Sequence, residues 1–360
     1  MHATDALAEA DRLMTICNSC RYCEGLCAVF PAMEARRSFP DADLDYLANL
    51  CHGCGACYDD CQFAPPHEFA VNVPKTLAIV RRDSYATYAW PPHFADLFKY
   101  SGLTATLGGL LGVVGLTVSA GPAALFARRT GVSAFYDVIS HRTMVLVFGA
   151  AFLTALLALT LSLRRFRRGG PAWTWPALRQ AIGDAGRLRY LAGGGGGCRN
   201  EAERSPDRRR LYHHLTFYGF LLCFAATVVA TLYHYLLGRE APYGWTEAPV
   251  ILGALGGVGL IAGPLGLLAA RLKRDPALID AERRNLDISF TLTLLATSAS
   301  GLALLLGRET SAMGSLLIFH LAIVFALFIT MPYGKFIHGL YRFAALTRYA
   351  RERQEGGISQ

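Results

Sequence analysis

Cysteines recur as Cys17-x-x-Cys20-x-x-Cys23-x-x-x-Cys27 and again as Cys51-x-x-Cys54-x-x-Cys57-x-x-x-Cys61, taking eight of the ten in the chain. Thiolates at this spacing are iron ligands. Three on one tight turn cover three corners of an iron–sulfur cube, and in two-cluster ferredoxins the fourth cysteine of each run reaches across to the other cube. The spacing therefore predicts one 4Fe–4S cluster on Cys17, Cys20, Cys23 and Cys61, and a second on Cys51, Cys54, Cys57 and Cys27. One departure is visible: the proline that usually follows the fourth cysteine is displaced to Pro31 and Pro65. Two other uses of cysteine fit less well. Structural zinc favours paired C-x-x-C knuckles with four ligands per metal. A disulfide framework belongs to secreted chains, and Met1 to Ile16 has no long apolar core.

The second group of candidate ligands is histidine: His213, His214, His234, His320 and His338 stand in or beside long apolar runs. An ionisable residue inside a membrane span is a functional candidate, and facing histidines hold haem b. On a straight helix His320 and His338 return to one face about 27 Å apart, and His213 and His234 lie roughly 60° and about 31 Å apart. Antiparallel helices would then set His213 level with His338 and His234 level with His320. The first level predicts a haem b site, and the second allows another. His141 at the head of its own run is a substitute ligand on the outer side, and His214 is an alternative to His213. Lys335, one turn before His338, is placed to meet haem propionates or a quinone headgroup.

These ligands need elements to carry them. The chain has 360 residues, is 53% hydrophobic and only 17% charged, and has a mean hydropathy of +0.30. Six stretches, near 102–126, 142–163, 215–237, 249–270, 286–306 and 315–338, are long enough to cross a bilayer. Gly121-Pro122 threatens the far end of the first. The net charge of +8 does not point to nucleic acid, because the arginines concentrate in alternate loops. The loop 164–212, the loop after the fourth span and the tail are Arg-rich, which predicts that both termini face the cytoplasm from an inner-membrane location. The fold class is all-α. A helical two-cluster ferredoxin-like domain occupies 1–99, since Ala6–Met14 and Asp41–Leu50 repeat apolar residues at helical spacing ahead of each cysteine run. A six-helix cytochrome b-like bundle occupies 100–340, and a cytoplasmic tail occupies 341–360. Gly193 to Gly197, followed by Cys198, read as a flexible linker. His52 and His67 read as packing near cluster sulfurs, and Cys198 and Cys223 as structural. No paired carboxylates, nucleophile–base pair or nucleotide-binding glycine motif stands out, so the chain reads as an electron-transfer subunit with no substrate-dehydrogenase site of its own.

Several stretches carry a family resemblance: both cysteine runs, Pro65-Pro66-His67-Glu68-Phe69, the run from Tyr212 to Phe220, and the run from Met331 to Gly339. Over nearly its whole length the chain resembles the tricarballylate- and citrate-utilisation protein B family. The resemblance implies a membrane partner of a soluble FAD-containing dehydrogenase of the tricarballylate-oxidising kind. It would reoxidise the flavin through two 4Fe–4S clusters and haem b. We expect the electrons to pass on to the quinone pool or to a second haem. The membrane half also looks like the cytochrome b subunit of respiratory nitrate reductase. A competing reading is the ferredoxin and cytochrome b part of a quinone-linked thiol or disulfide reductase complex. A third is a membrane redox sensor.

Overall fold

The structure, a computed structural model, describes residues 2–191, 206–280 and 283–356. The glycine run at 193–197 and Cys198 lie outside the described residues. Among the described residues every regular element is helical.

The N-terminal unit consists of α1 (Asp5–Cys20), α2 (Val29–Glu34), α3 (Asp41–Leu50), α4 (Ala56–Asp59) and α5 (Val73–Thr87). Thr4 is extended, and its side-chain oxygen accepts the Leu7 N–H, which starts α1. Leu7, Ala10, Leu13 and Met14 then bury one face. The helix stops at Arg21, which turns left-handed at φ 55° and returns its N–H to the Cys17 carbonyl. The first cysteine turn thus begins where the helix is made to end. Pro40 and the acidic residues Asp41 and Asp43 open α3, whose Leu44, Leu47 and Leu50 are buried. Asn72 caps α5 by accepting the Lys75 N–H, with Pro74 in the first turn.

Six later helices are long and apolar enough to cross a membrane. They are α6 (Ser101–Ala120), α7 (His141–Phe166), α9 (Pro206–Leu237), α10 (Ala248–Leu272), α11 (Arg283–Gly307) and α12 (Met313–Thr330). The first ends at Gly121, at φ 81°, as the Gly-Pro pair suggested. Contacts run from α9 to α10, α10 to α11, α11 to α12, and α12 to both α6 and α7. Small residues allow the closest approach. A Cβ added to Gly219 of α9 would meet the Gly256 carbonyl of α10 at 2.9 Å, so only glycine fits there. One end of the bundle gathers the N-terminal unit and the Arg-rich connections. Asn72 Nδ2 donates to the Ala277 carbonyl at 2.9 Å, and Arg82 pairs with Asp280 at 2.9 Å. The other connections meet at the opposite end, where Ser315 Oγ donates to the Leu125 carbonyl and Arg308 to that of Tyr243.

Two remaining helices change the expected domain plan. Helix α8 (Trp175–Gly186) lies within the Arg-rich loop and packs on α13 (Ile337–Gln354). Residues 341–360, expected as a tail, supply most of α13, and that helix is buried. Tyr341 is fully buried and stacks on Phe166 at 4.5 Å, while Ala345, Leu346 and Tyr349 join the core of the N-terminal unit. An ion network fastens the two. Buried Arg36 pairs with Asp43 at 3.3 Å and Glu352 at 2.5 Å. Arg348 pairs with Asp43 at 2.5 Å and Glu352 at 2.9 Å. Tyr46 lies beneath both guanidinium groups and donates to Glu352. Breaking a buried pair of this kind costs about 3–5 kcal/mol, because a charge is left uncompensated. The cysteine-bearing unit and α13 are therefore fastened to each other.

Candidate functional site

The chain from Cys51 to Cys57 folds tightly because Gly53 and Gly55 take positive φ, 57° and 98°. A Cβ on Gly55 would lie 2.8 Å from a Leu278 methyl. These turns bring the cysteines around two cavities. The outer cavity is lined by Cys17, Cys20, Cys23 and Cys61, with Cys57 at its wall. The inner one is lined by Cys27, Cys51, Cys54 and Cys57. The fourth cysteine of each run stands with the first three of the other. Thiol acidity follows the same grouping. Burial pushes the Cys17 thiol up to about 12, with further upward pressure from Cys23, Cys61 and Cys20. Burial also raises Cys27, and Cys51 and Cys54 add to it. Thiols held this high keep their protons near neutrality unless a bound cation replaces them. Among the described residues no three His, Cys, Asp or Glu side chains converge on a single-ion site. A lone zinc would need sulfurs at about 2.3 Å from one centre, whereas a cube sets its thiolates wider around a larger body.

The histidines divide differently from the straight-helix expectation. His213 on α9 and His338 on α13 face each other, with ring centroids 6.5 Å apart. Two imidazoles sharing a metal at about 2 Å each would set their ring centres about 6 Å apart. His338 Nδ1 is hydrogen-bonded to the Lys335 carbonyl. That bond places the proton on Nδ1 and leaves the Nε2 lone pair for a ligand, the usual outer support of a metal-binding imidazole. Phe220 and Phe290 both pack against Phe336, two residues before His338. His214 turns aside towards Tyr218 at 5.8 Å.

No ring contact joins His234 to His320 among the described residues. His234 stacks on His141 at 3.8 Å and 19°, with Tyr136 edge-on, while His320 Nδ1 is 3.0 Å from Ser300 Oγ on α11. The cause is the end of α12. Pro332 falls in a 3₁₀ turn, Met331–Tyr333, and Gly334 is extended, so His338 begins a separate helix. The expected span 315–338 is therefore two elements, and an angle counted along one straight helix does not carry from His338 to His320. Lys335, expected beside propionates or a quinone, pairs with Asp287 at 2.6 Å, and Arg271 takes the other oxygen of that carboxylate at 2.8 Å.

Sequence reasoning missed a ring of arginines. Arg342 Nη2 donates to the Cys51 carbonyl at 2.6 Å, and Arg81 Nη1 donates to Cys51 and, at 3.0 Å, to Ala48. Arg274 donates to the Gly53 carbonyl, and Arg209 donates to that of His52 at 3.4 Å. His52 is half-buried among them. Burial and then the charges of Arg342, Arg209 and Arg81 drive its pKa well below the usual value, so its ring is neutral. The only sequence signal was Arg342 standing one helical turn after His338.

A helical, cysteine-ringed unit fastened to six membrane-length helices, with facing histidines at the junction, defines a membrane-anchored ferredoxin-like protein. Comparison with known proteins gives it a family. A profile described as citrate utilization protein B matches residues 100–358, and one described as the citrate utilization protein B Fer4-like domain matches residues 10–87. The chain is 48% identical over 357 residues to citrate utilization protein B of Escherichia coli, covering 98% of this chain and 94% of that protein. The chain belongs to the citrate utilization protein B family. No solved structure matches it.

Proposed function

We propose that this protein is a membrane electron-transfer subunit. It reoxidises the reduced FAD of a soluble dehydrogenase of the tricarballylate-oxidising type and passes the electrons to the quinone pool. The observation that carries this reading is the crossed grouping of eight cysteines in a unit locked to α13, the helix that bears His338 opposite His213. Cys17, Cys20, Cys23 and Cys61 would hold one 4Fe–4S cluster, and Cys51, Cys54, Cys57 and Cys27 the other. His213 and His338 would hold haem b. When bound, these groups supply one-electron carriers between a two-electron flavin and a quinone. The polypeptide supplies thiolates, a fixed imidazole tautomer, and an anchor that holds both sets of ligands in one body. The family relative's name ties it to citrate utilization. The Arg-rich end of the bundle, where the cysteine unit sits, faces the cytoplasm by the positive-inside rule. That side is where a soluble dehydrogenase would dock.

Mixing the purified protein, without air, with a tricarballylate-reduced flavoprotein dehydrogenase tests this reading. The expected result is appearance of the ferrous haem band and bleaching of the broad cluster absorption. Haem that stays oxidised with the flavoprotein but is reduced by a quinol would reverse the direction of flow and favour a quinol-driven thiol or disulfide reductase.

A further inference from the structure

The two cysteine-lined cavities differ in charge. Four guanidinium groups, from α5, α9, the turn after α10, and α13, all end on the carbonyls of Ala48 to Gly53 beside the inner cavity. The convergence is specific: Cys51, His52 and Gly53, three consecutive residues, each give a carbonyl to an arginine. Among the described residues the outer cavity has no comparable ring. Arg21 turns back to the Asn18 carbonyl on an exposed surface, and Gln62 offers a neutral contact, Nε2 to Cys20 Sγ at 3.9 Å.

We propose that Arg81, Arg209, Arg274 and Arg342 make the inner cavity, ringed by Cys27, Cys51, Cys54 and Cys57, the more oxidising of the two, so that electrons are drawn towards the membrane. The inference rests on the reading above that each cavity holds a cluster. Two effects compete. Adding an electron to an anionic cluster is harder where water is excluded, and of the eight cysteines only Cys51, in the inner cavity, is buried. Burial alone would therefore leave the electron stranded in the outer cavity. Fixed positive charge acts in the opposite direction, and it is strong in a poorly screened interior. Four cations on the backbone of one cysteine turn offset the burial. For electrons entering from a reduced flavin and leaving to a quinone, the inward hop then runs downhill. Arg342 has a second consequence, because it stands one turn from His338 on α13 and so places positive charge between the inner cavity and the histidine pair.

The test is a redox titration followed by electron paramagnetic resonance on the full-length protein. Comparison with Cys27→Ala identifies which signal belongs to the inner cavity. In Arg342→Gln, which keeps a hydrogen-bond donor but no charge, the inner midpoint potential should fall by at least about 60 mV, a tenfold change in a one-electron equilibrium. Arg342→Lys should restore most of it, and the outer potential should move far less. Arg209→Gln, at the longest of the four contacts, serves in the same way if Arg342→Gln loses iron. Unchanged potentials in fully loaded variants, or equal shifts of both signals, would overturn the inference while leaving the relay intact. Iron for only one cluster in the wild-type protein would defeat the underlying reading instead.

Discussion

Replacing His338 with alanine is expected to abolish the low-spin haem absorption of the purified protein while leaving its non-haem iron in place. The reason is local. His338 presents Nε2 because Nδ1 is held by the Lys335 carbonyl, and it lies 6.5 Å, ring to ring, from His213. Low-spin haem requires two strong axial ligands, and alanine supplies none. His213→Ala should have the same effect from the other side. His214→Ala should not, because that ring turns towards Tyr218. The cysteine unit is fastened to α13 through Arg36, Asp43, Arg348 and Glu352, remote from position 338, so the iron content should hold at about eight non-haem atoms per chain. An unchanged visible spectrum in His338→Ala would remove it as a ligand.

Cys27→Ala is expected to remove about half of the iron and sulfide, although Cys27 belongs by sequence to the run that builds the other site. In the structure Cys27 stands with Cys51, Cys54 and Cys57, and Cys61 stands with Cys17, Cys20 and Cys23. Cys61→Ala should therefore spare the inner signal, and Cys27→Ala the outer one. Chemical iron analysis with paramagnetic resonance of the reduced protein reads both variants. If Cys27→Ala damaged the site of Cys17, Cys20 and Cys23 instead, the crossing would be wrong.

Some of this was legible in the sequence because the determinants are local. The cysteine spacing needs only a tight turn, and Gly53 and Gly55 provide it. The first helix announces itself through the stripe from Leu7 to Met14. Membrane spans declare themselves by length, since lipid demands it. His213 and His338 were paired by counting levels on antiparallel helices, and the structure brings their rings together. The same count failed for His234 and His320, because the 3₁₀ turn at Met331–Tyr333 breaks the helix on which it was made. The burial of α13 was hidden by its composition. Its arginines resemble those of a solvated tail, yet Arg348 and Glu352 find partners more than 300 residues away in the chain. The arginine ring was illegible for a related reason. Arg81, Arg209, Arg274 and Arg342 come from four elements, and loop arginines in a membrane protein read as topogenic charge until the fold shows them meeting at one turn.

The most direct measurement is the non-haem iron and acid-labile sulfide content of the protein extracted gently and kept from air. The account predicts about eight of each per chain, two full cubes on eight thiolates. A value of about four or fewer, with all eight cysteines intact, would contradict it.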